Sequence, residues 1–149
     1  MTNNAEVLDS IRGIALTASD ASSLLAEAVR LLQRERAHYH WVGVYLLQGQ
    51  ELVLGPYVGK PTPHTRIPLN KGICGAAAST GETIIVDDVN ADPRYLACSL
   101  ETRSEIVVPV RREGRIVGEI DIDSDLPAAF TNNDRELLQA VAELLAERM

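Results

Sequence analysis

Residues 105–123 read EIVVPVRREGRIVGEIDID. Two runs rich in Val and Ile flank Glu113-Gly114, a pair suited to the positive φ angles of a tight hairpin turn. The pattern predicts antiparallel strands over Glu105–Arg111 and Arg115–Asp123. Side chains alternate faces along a strand, so Glu119, Asp121 and Asp123 share one face. Gly118, Ile120 and Ile122 share the other. Three carboxylates in a row repel one another unless water or a cation offsets them. The face is therefore either solvated or a site for an ammonium group or a metal ion. Glu105 opens the neighbouring strand and can join the group. The stretch from Asp121 to Phe130 is no EF-hand loop, because it lacks the central Gly and the closing Glu.

Working outward, the same alternation predicts strands over His40–Leu47, Glu51–Tyr57, Thr65–Pro68 and Thr83–Val86. Gln48-Gly49-Gln50 turns the first into the second. The Ala- and Gly-rich segment Lys71–Thr80 suits a short helix, and Asn90–Ser104 reads as a long loop. The ends change period. Val7, Ile11, Ile14 and Ala15 recur at helical spacing. A second helix starts at Asp20, whose carboxylate can cap open N–H groups, and carries Leu24, Leu25, Ala28, Leu31 and Leu32 on one face. A last helix starts near Thr131, with Asp134 in capping-box position. Its apolar stripe is Leu137, Leu138, Val141, Leu144 and Leu145. Helices, then strands, then a helix predict an α+β fold with a mostly antiparallel sheet.

The 149 residues suit one domain spanning 1–149 and large enough to bury a core without staples. A net charge of −7 argues against nucleic acid and anionic membranes as partners. The N-terminus has no basic and apolar leader pattern, so a cytoplasmic location is expected. Two cysteines, Cys74 and Cys98, are too few for a disulfide scaffold or a structural zinc site. They are either two buried thiols or a redox pair. Cys98 lies in the long loop, where exposure favours reactivity. Trp41 and Tyr45 share a strand face and suit either the core or the aromatic wall of a pocket. His38 and His40 lack a third ligand nearby, so no resident metal or cofactor is expected. No Walker, Rossmann or nucleophile-elbow motif is present. The amphipathic terminal helices suit a homodimer.

Several strings, in order, carry a resemblance. They are His40–Tyr45 (HWVGVY), Leu52–Tyr57 (LVLGPY), Arg66-Ile67-Pro68, Gly72–Gly75 (GICG), Ala97-Cys98, Ser104–Pro109 (SEIVVP) and Asp121–Ser124 (DIDS). The set, from about residue 20 onward, resembles the free methionine-(R)-sulfoxide reductases, which are single GAF-domain proteins. The resemblance implies a central antiparallel sheet, with the N- and C-terminal helices packed on one face and a ligand pocket on the other. It implies reduction of free methionine sulfoxide with no cofactor, by way of a sulfenic acid and then a disulfide that a thioredoxin-type reductant reopens. By resemblance, Cys98 is the catalytic nucleophile and Cys74 a second cysteine of the same region. Trp41 and Tyr45 fall at the aromatic wall, and Glu105, Asp121 and Asp123 at acidic substrate-binding positions. The family's usual third cysteine, before the Arg-Ile-Pro string, is absent here, and His64 stands nearest its place. Cys74 or an external thiol would then resolve Cys98. The alternative is a GAF module that binds a small ligand without chemistry.

Overall fold

The computed structural model describes residues 2–97 and 99–149. Cys98 lies outside the described residues. The elements are α1 (Asn4–Thr17), α2 (Ala21–Glu35), β1 (Trp41–Gln48), β2 (Glu51–Val58), β3 (Arg66–Pro68), α3 (Gly72–Thr80), β4 (Ile84–Val86), β5 (Ser104–Arg112), β6 (Arg115–Ser124) and α4 (Asn132–Ala146). The strands form one antiparallel sheet in the order β3-β2-β1-β6-β5-β4. Each strand expected from the alternation is present, with ends differing by a residue or so.

Local chemistry explains the punctuation. At the β5–β6 turn Glu113 and Gly114 both take positive φ, 54° and 79°, as a turn twisted with its strands requires. The Asp20 carboxylate accepts the Ser23 N–H at 2.8 Å and starts α2. At α4 the Thr131 hydroxyl accepts the Asn133 N–H, and Asp134 Oδ2 accepts the Thr131 N–H at 2.9 Å.

Asp134 does more than cap. It is buried, and its Oδ1 accepts the Tyr39 hydroxyl at 2.6 Å and meets His38 Nε2 at 2.9 Å. Burial and the adjacent Asp134 charge push the Tyr39 phenol far above its ordinary pKa. One carboxylate thus ties the start of α4 to the α2–β1 connection.

The sheet has two covered faces. Helices α1, α2 and α4 pack on one, against Val42, Val44, Ile106, Val108, Ile120 and Ile122. Full burial of side chains such as Leu24, Leu32 and Leu138 contributes about 1.5–3 kcal/mol each. The short helix α3 and the loops cover the other face, where Trp41, Tyr45 and Val107 meet Ile67, Ile73 and Ala77. Close packing holds α3 there: a Cβ on Gly75 would stand 2.8 Å from the Leu69 carbonyl oxygen.

Candidate functional site

The site is built on three adjacent strands. Trp41, Gly43 and Tyr45 of β1 stand opposite Asp123, Asp121 and Glu119 of β6. Asp123 and Asp121 in turn stand opposite Glu105 and Val107 of β5. Residues paired across an antiparallel ladder share a face. All four acids and both aromatics therefore point to the side that carries α3.

That face is not solvated. Glu105, Glu119, Asp121 and Asp123 are each 5% exposed or less. The alternation placed them together; α3 and the covering loops remove them from water. Burial is the main cause that raises the carboxyl pKa of Glu119, Asp121 and Asp123, with the Asp121 charge adding to the rise at Glu119 and Asp123. Glu105 and Cys74 interact with Asp121 and offset part of its shift. Among the described residues, both oxygens of Glu119 and Oδ1 of Asp121 and of Asp123 have no hydrogen-bond partner. Glu119 and Asp123, whose pKa burial raises well above the ordinary carboxyl value, favour the protonated form in this state and so can supply protons.

Cys74, in the first turn of α3, reaches the same group. Burial pushes its thiol well above the usual range, and the nearby Asp121, Glu119 and Glu105 carboxyls push it further. It is a thiol at neutral pH, not a thiolate.

The aromatic wall is pinned by its polar tips. Trp41 Nε1–H donates to the Lys60 carbonyl at 2.9 Å, and the Tyr45 hydroxyl donates to the His64 carbonyl at 2.8 Å. The rings of Trp41 and Tyr45 have centroids 6.5 Å apart. Tyr57, paired with Gly43, stacks on Trp41 at 5.5 Å. The indole lies over Gly43, where a Cβ would come within 2.4 Å of it. His64 Nε2 meets the Ala97 carbonyl at 2.9 Å. A carbonyl only accepts, so Nε2 carries the proton, and His64 tethers the loop at the residue before Cys98.

A cavity of about 420 Å³ opens beside this wall, lined among others by Trp41, Lys60, Thr62, Ser99, Thr102 and Asp123. Lys60 is paired with Glu101 at its rim. A second, much smaller space of about 20 Å³ lies against Tyr45, His64, Cys74, Glu105 and Asp121. Roomier clefts of about 490 and 590 Å³ lie elsewhere, one beside α4 and one between α1 and α2, and none of the buried acids lines either.

The structure thus brings together Trp41, Tyr45, Cys74, Glu105, Asp121 and Asp123. Sequence reading did not single out Tyr57, Lys60 or Thr102. Alternation along β2 could have flagged Tyr57; no local signal marks the two loop residues.

Comparison with known proteins agrees with this architecture. The GAF domain model matches residues 20–149. A free methionine-R-sulfoxide reductase of Saccharomyces cerevisiae is 44% identical over 131 residues, 85% of this chain and 71% of the yeast protein. The structure of free methionine-R-sulfoxide reductase from Neisseria meningitidis in complex with its substrate superposes with a TM-score of 0.92 at 39% identity, covering 97% of this chain and 87% of that one. A type II free methionine-R-sulfoxide reductase from Thermoplasma acidophilum gives 0.84 at 42% identity, covering 85% and 90%. The chain belongs to the free methionine-R-sulfoxide reductase family of GAF-domain proteins.

Proposed function

We propose that the protein reduces free methionine-(R)-sulfoxide to methionine, with Cys98 as nucleophile. The observation that carries this reading is the buried acid group set beside a pinned aromatic wall and a cavity. A sulfoxide is a poor electrophile until its oxygen takes a proton. A carboxyl kept neutral by burial can give one. Asp123 lines the cavity and has its pKa raised, so it is the chosen donor. Trp41 and Tyr45 hold the methyl–sulfur end, and Glu105 and Asp121 bind the polar end.

The balance is simple. The Cys98 sulfur attacks the sulfoxide sulfur, the oxygen is protonated, and the S–O bond of the substrate is lost as the oxygen passes to cysteine. Sulfoxide plus thiol becomes methionine plus sulfenic acid. A second thiol condenses with the sulfenic acid, releasing water and leaving a disulfide. A dithiol of the thioredoxin type then attacks the disulfide, passes through a mixed disulfide, and leaves as its own disulfide with both original thiols restored. Cys74 serves as second thiol only if it is deprotonated during the step, because burial holds it as a thiol. An external thiol in water keeps its ordinary pKa and ionises more readily.

The test is a single turnover. Pre-reduced protein is mixed with excess free methionine-(R)-sulfoxide and no reductant. One methionine per chain, lost in Cys98→Ser, supports the reading. Binding of the sulfoxide without release of methionine would replace it with a non-catalytic ligand-binding role.

A further inference from the structure

Strand β5 outruns its neighbour β4. Their pairing ends at Ile84 opposite Val107, while β5 continues to Arg112. Past Val107 the outer edge of β5 has no partner from β4, and Pro109 offers no N–H there for a further strand. The turn at residues 81–83 and helix α4 flank this edge and leave a cleft of about 490 Å³. It shares no lining residue with the cavity beside Trp41 or with the small space at Cys74. Arg135, Gln139 and Glu143 of α4 line it; their spacing of four places them on one helix face, beside the stripe that packs on the sheet.

Four charged side chains line the cleft: Arg111, Arg135, Glu82 and Glu143. Two are cationic and two anionic, yet among the described residues none of them is in an ion pair. The Arg111 guanidinium donates instead to the Gly81 carbonyl, which braces one wall. Arg135 is half-buried, whereas both acids are exposed at the rim. Its Nε is buried and has no hydrogen-bond partner among the described residues. A dry, unpartnered guanidinium N–H is costly. A torsion of this flexible side chain presents Nε–H and one Nη–H together to a carboxylate in the cleft, the two-pronged contact that a guanidinium favours.

The signs of the lining narrow the ligand. Thr83 Oγ1 accepts the Gln139 Nε2–H at 3.1 Å, so its own hydroxyl proton stays available to the same carboxylate. A phosphate dianion would meet Glu82 and Glu143 as like charges. An ammonium group next to the carboxylate meets them as opposite charges. Val108, Pro109 and Ala142 add an apolar patch. We propose that this cleft binds a free α-amino acid with an apolar side chain, its carboxylate on Arg135 and its ammonium group towards Glu82 and Glu143. None of these residues belongs to the proposed reductase cavity, so the site stands or falls independently of that reading.

Isotope-labelled, reduced protein is titrated with L-leucine, and the backbone amides are followed by NMR. Isocaproate, which lacks the ammonium group, and isoamylamine, which lacks the carboxylate, are the matched probes. Expected are saturable shifts at Gly81, Thr83, Gln139 and Glu143, with a Kd of about 1 mM or tighter for leucine and roughly tenfold weaker binding of either probe. Arg135→Gln weakens leucine binding about tenfold or more; Arg135→Lys, which keeps the charge and loses the fork, weakens it less. Glu82→Gln with Glu143→Gln weakens leucine and does not weaken isocaproate. Circular dichroism checks that each variant is folded. No saturable shift at these amides overturns the proposal. So do shifts confined to residues 41–45 and 99–105, which would place leucine in the acid-lined cavity. Isocaproate binding as tightly as leucine overturns the amino-acid assignment, and unchanged affinity in Arg135→Gln overturns the placement of the carboxylate.

Discussion

Tyr45 on β1 stands directly opposite Glu119 on β6, yet its hydroxyl donates not to that carboxyl but to the His64 carbonyl at 2.8 Å. The phenol spends its donor on pinning the 59–65 loop. The acid beside it is buried and kept neutral. Stability and chemistry therefore pull in opposite directions on this face.

The first expectation concerns Glu119 itself. Its pKa is raised above the ordinary 4.5 in the folded state, so the native protein holds a proton that the unfolded chain gives up. The folded form then loses stability as pH rises from about 4 toward the raised pKa. Glu119→Leu removes this penalty. It should stabilise the protein by about 1–3 kcal/mol at pH 7, with the gain shrinking toward pH 4. Urea unfolding of both forms across that range measures it. A gain that did not depend on pH would contradict the assignment.

A second expectation follows from Asp134. Asp134→Ala removes the reciprocal half of the α4 capping box, leaving the Thr131 cap in place, at a cost of up to about 1 kcal/mol, and strands the buried Tyr39 hydroxyl, at about 1–3 kcal/mol more. A total loss of about 1–4 kcal/mol is expected in denaturant unfolding. In a double-mutant cycle, Tyr39→Phe should recover part of it. Additive losses would show that the two groups do not act as a unit.

Gly43 tests the aromatic wall without touching the acids. In Gly43→Ala the new methyl meets the Trp41 ring, which must move or tilt. Overpacking of this kind costs about 1–3 kcal/mol of stability. The KM for free methionine sulfoxide should rise on the order of tenfold, while single-turnover reduction at saturation changes less. An unaltered KM would remove Trp41 from the substrate wall.

The proposed proton donor has a pH signature. On that proposal reduction needs Asp123 neutral, so the rate should fall as pH rises through its raised pKa. Asp123→Asn cannot donate in this way. It should lower single-turnover reduction by about 10²-fold or more at pH 6 and flatten the alkaline decline. If the decline persisted in Asp123→Asn, another group of the acid cluster would be the donor.

How far the site was legible from sequence depends on the residue. Alternation alone placed Glu119, Asp121 and Asp123 on one face, and the hairpin pair Glu113-Gly114 brought Glu105 beside them. The same period put Trp41 and Tyr45 on a single side. These are local rules: a residue's face along a strand depends only on its position parity. The capping of α2 by Asp20 and of α4 by Thr131 and Asp134 was legible for the same reason.

What covers a face is not local. Whether the acid row met water or protein depended on α3, more than 40 residues before the end of β6, packing through Gly75 against the β3–α3 connection. Only the folded chain shows Cys74 delivered to Asp121 and Glu119, and the carboxyl pKa values raised by the resulting loss of water. The second role of Asp134 was hidden likewise, because its partners His38 and Tyr39 lie about 95 residues away in sequence. Periodicity assigned each acid its side of the sheet; long-range packing turned that side into a dry, proton-holding interior.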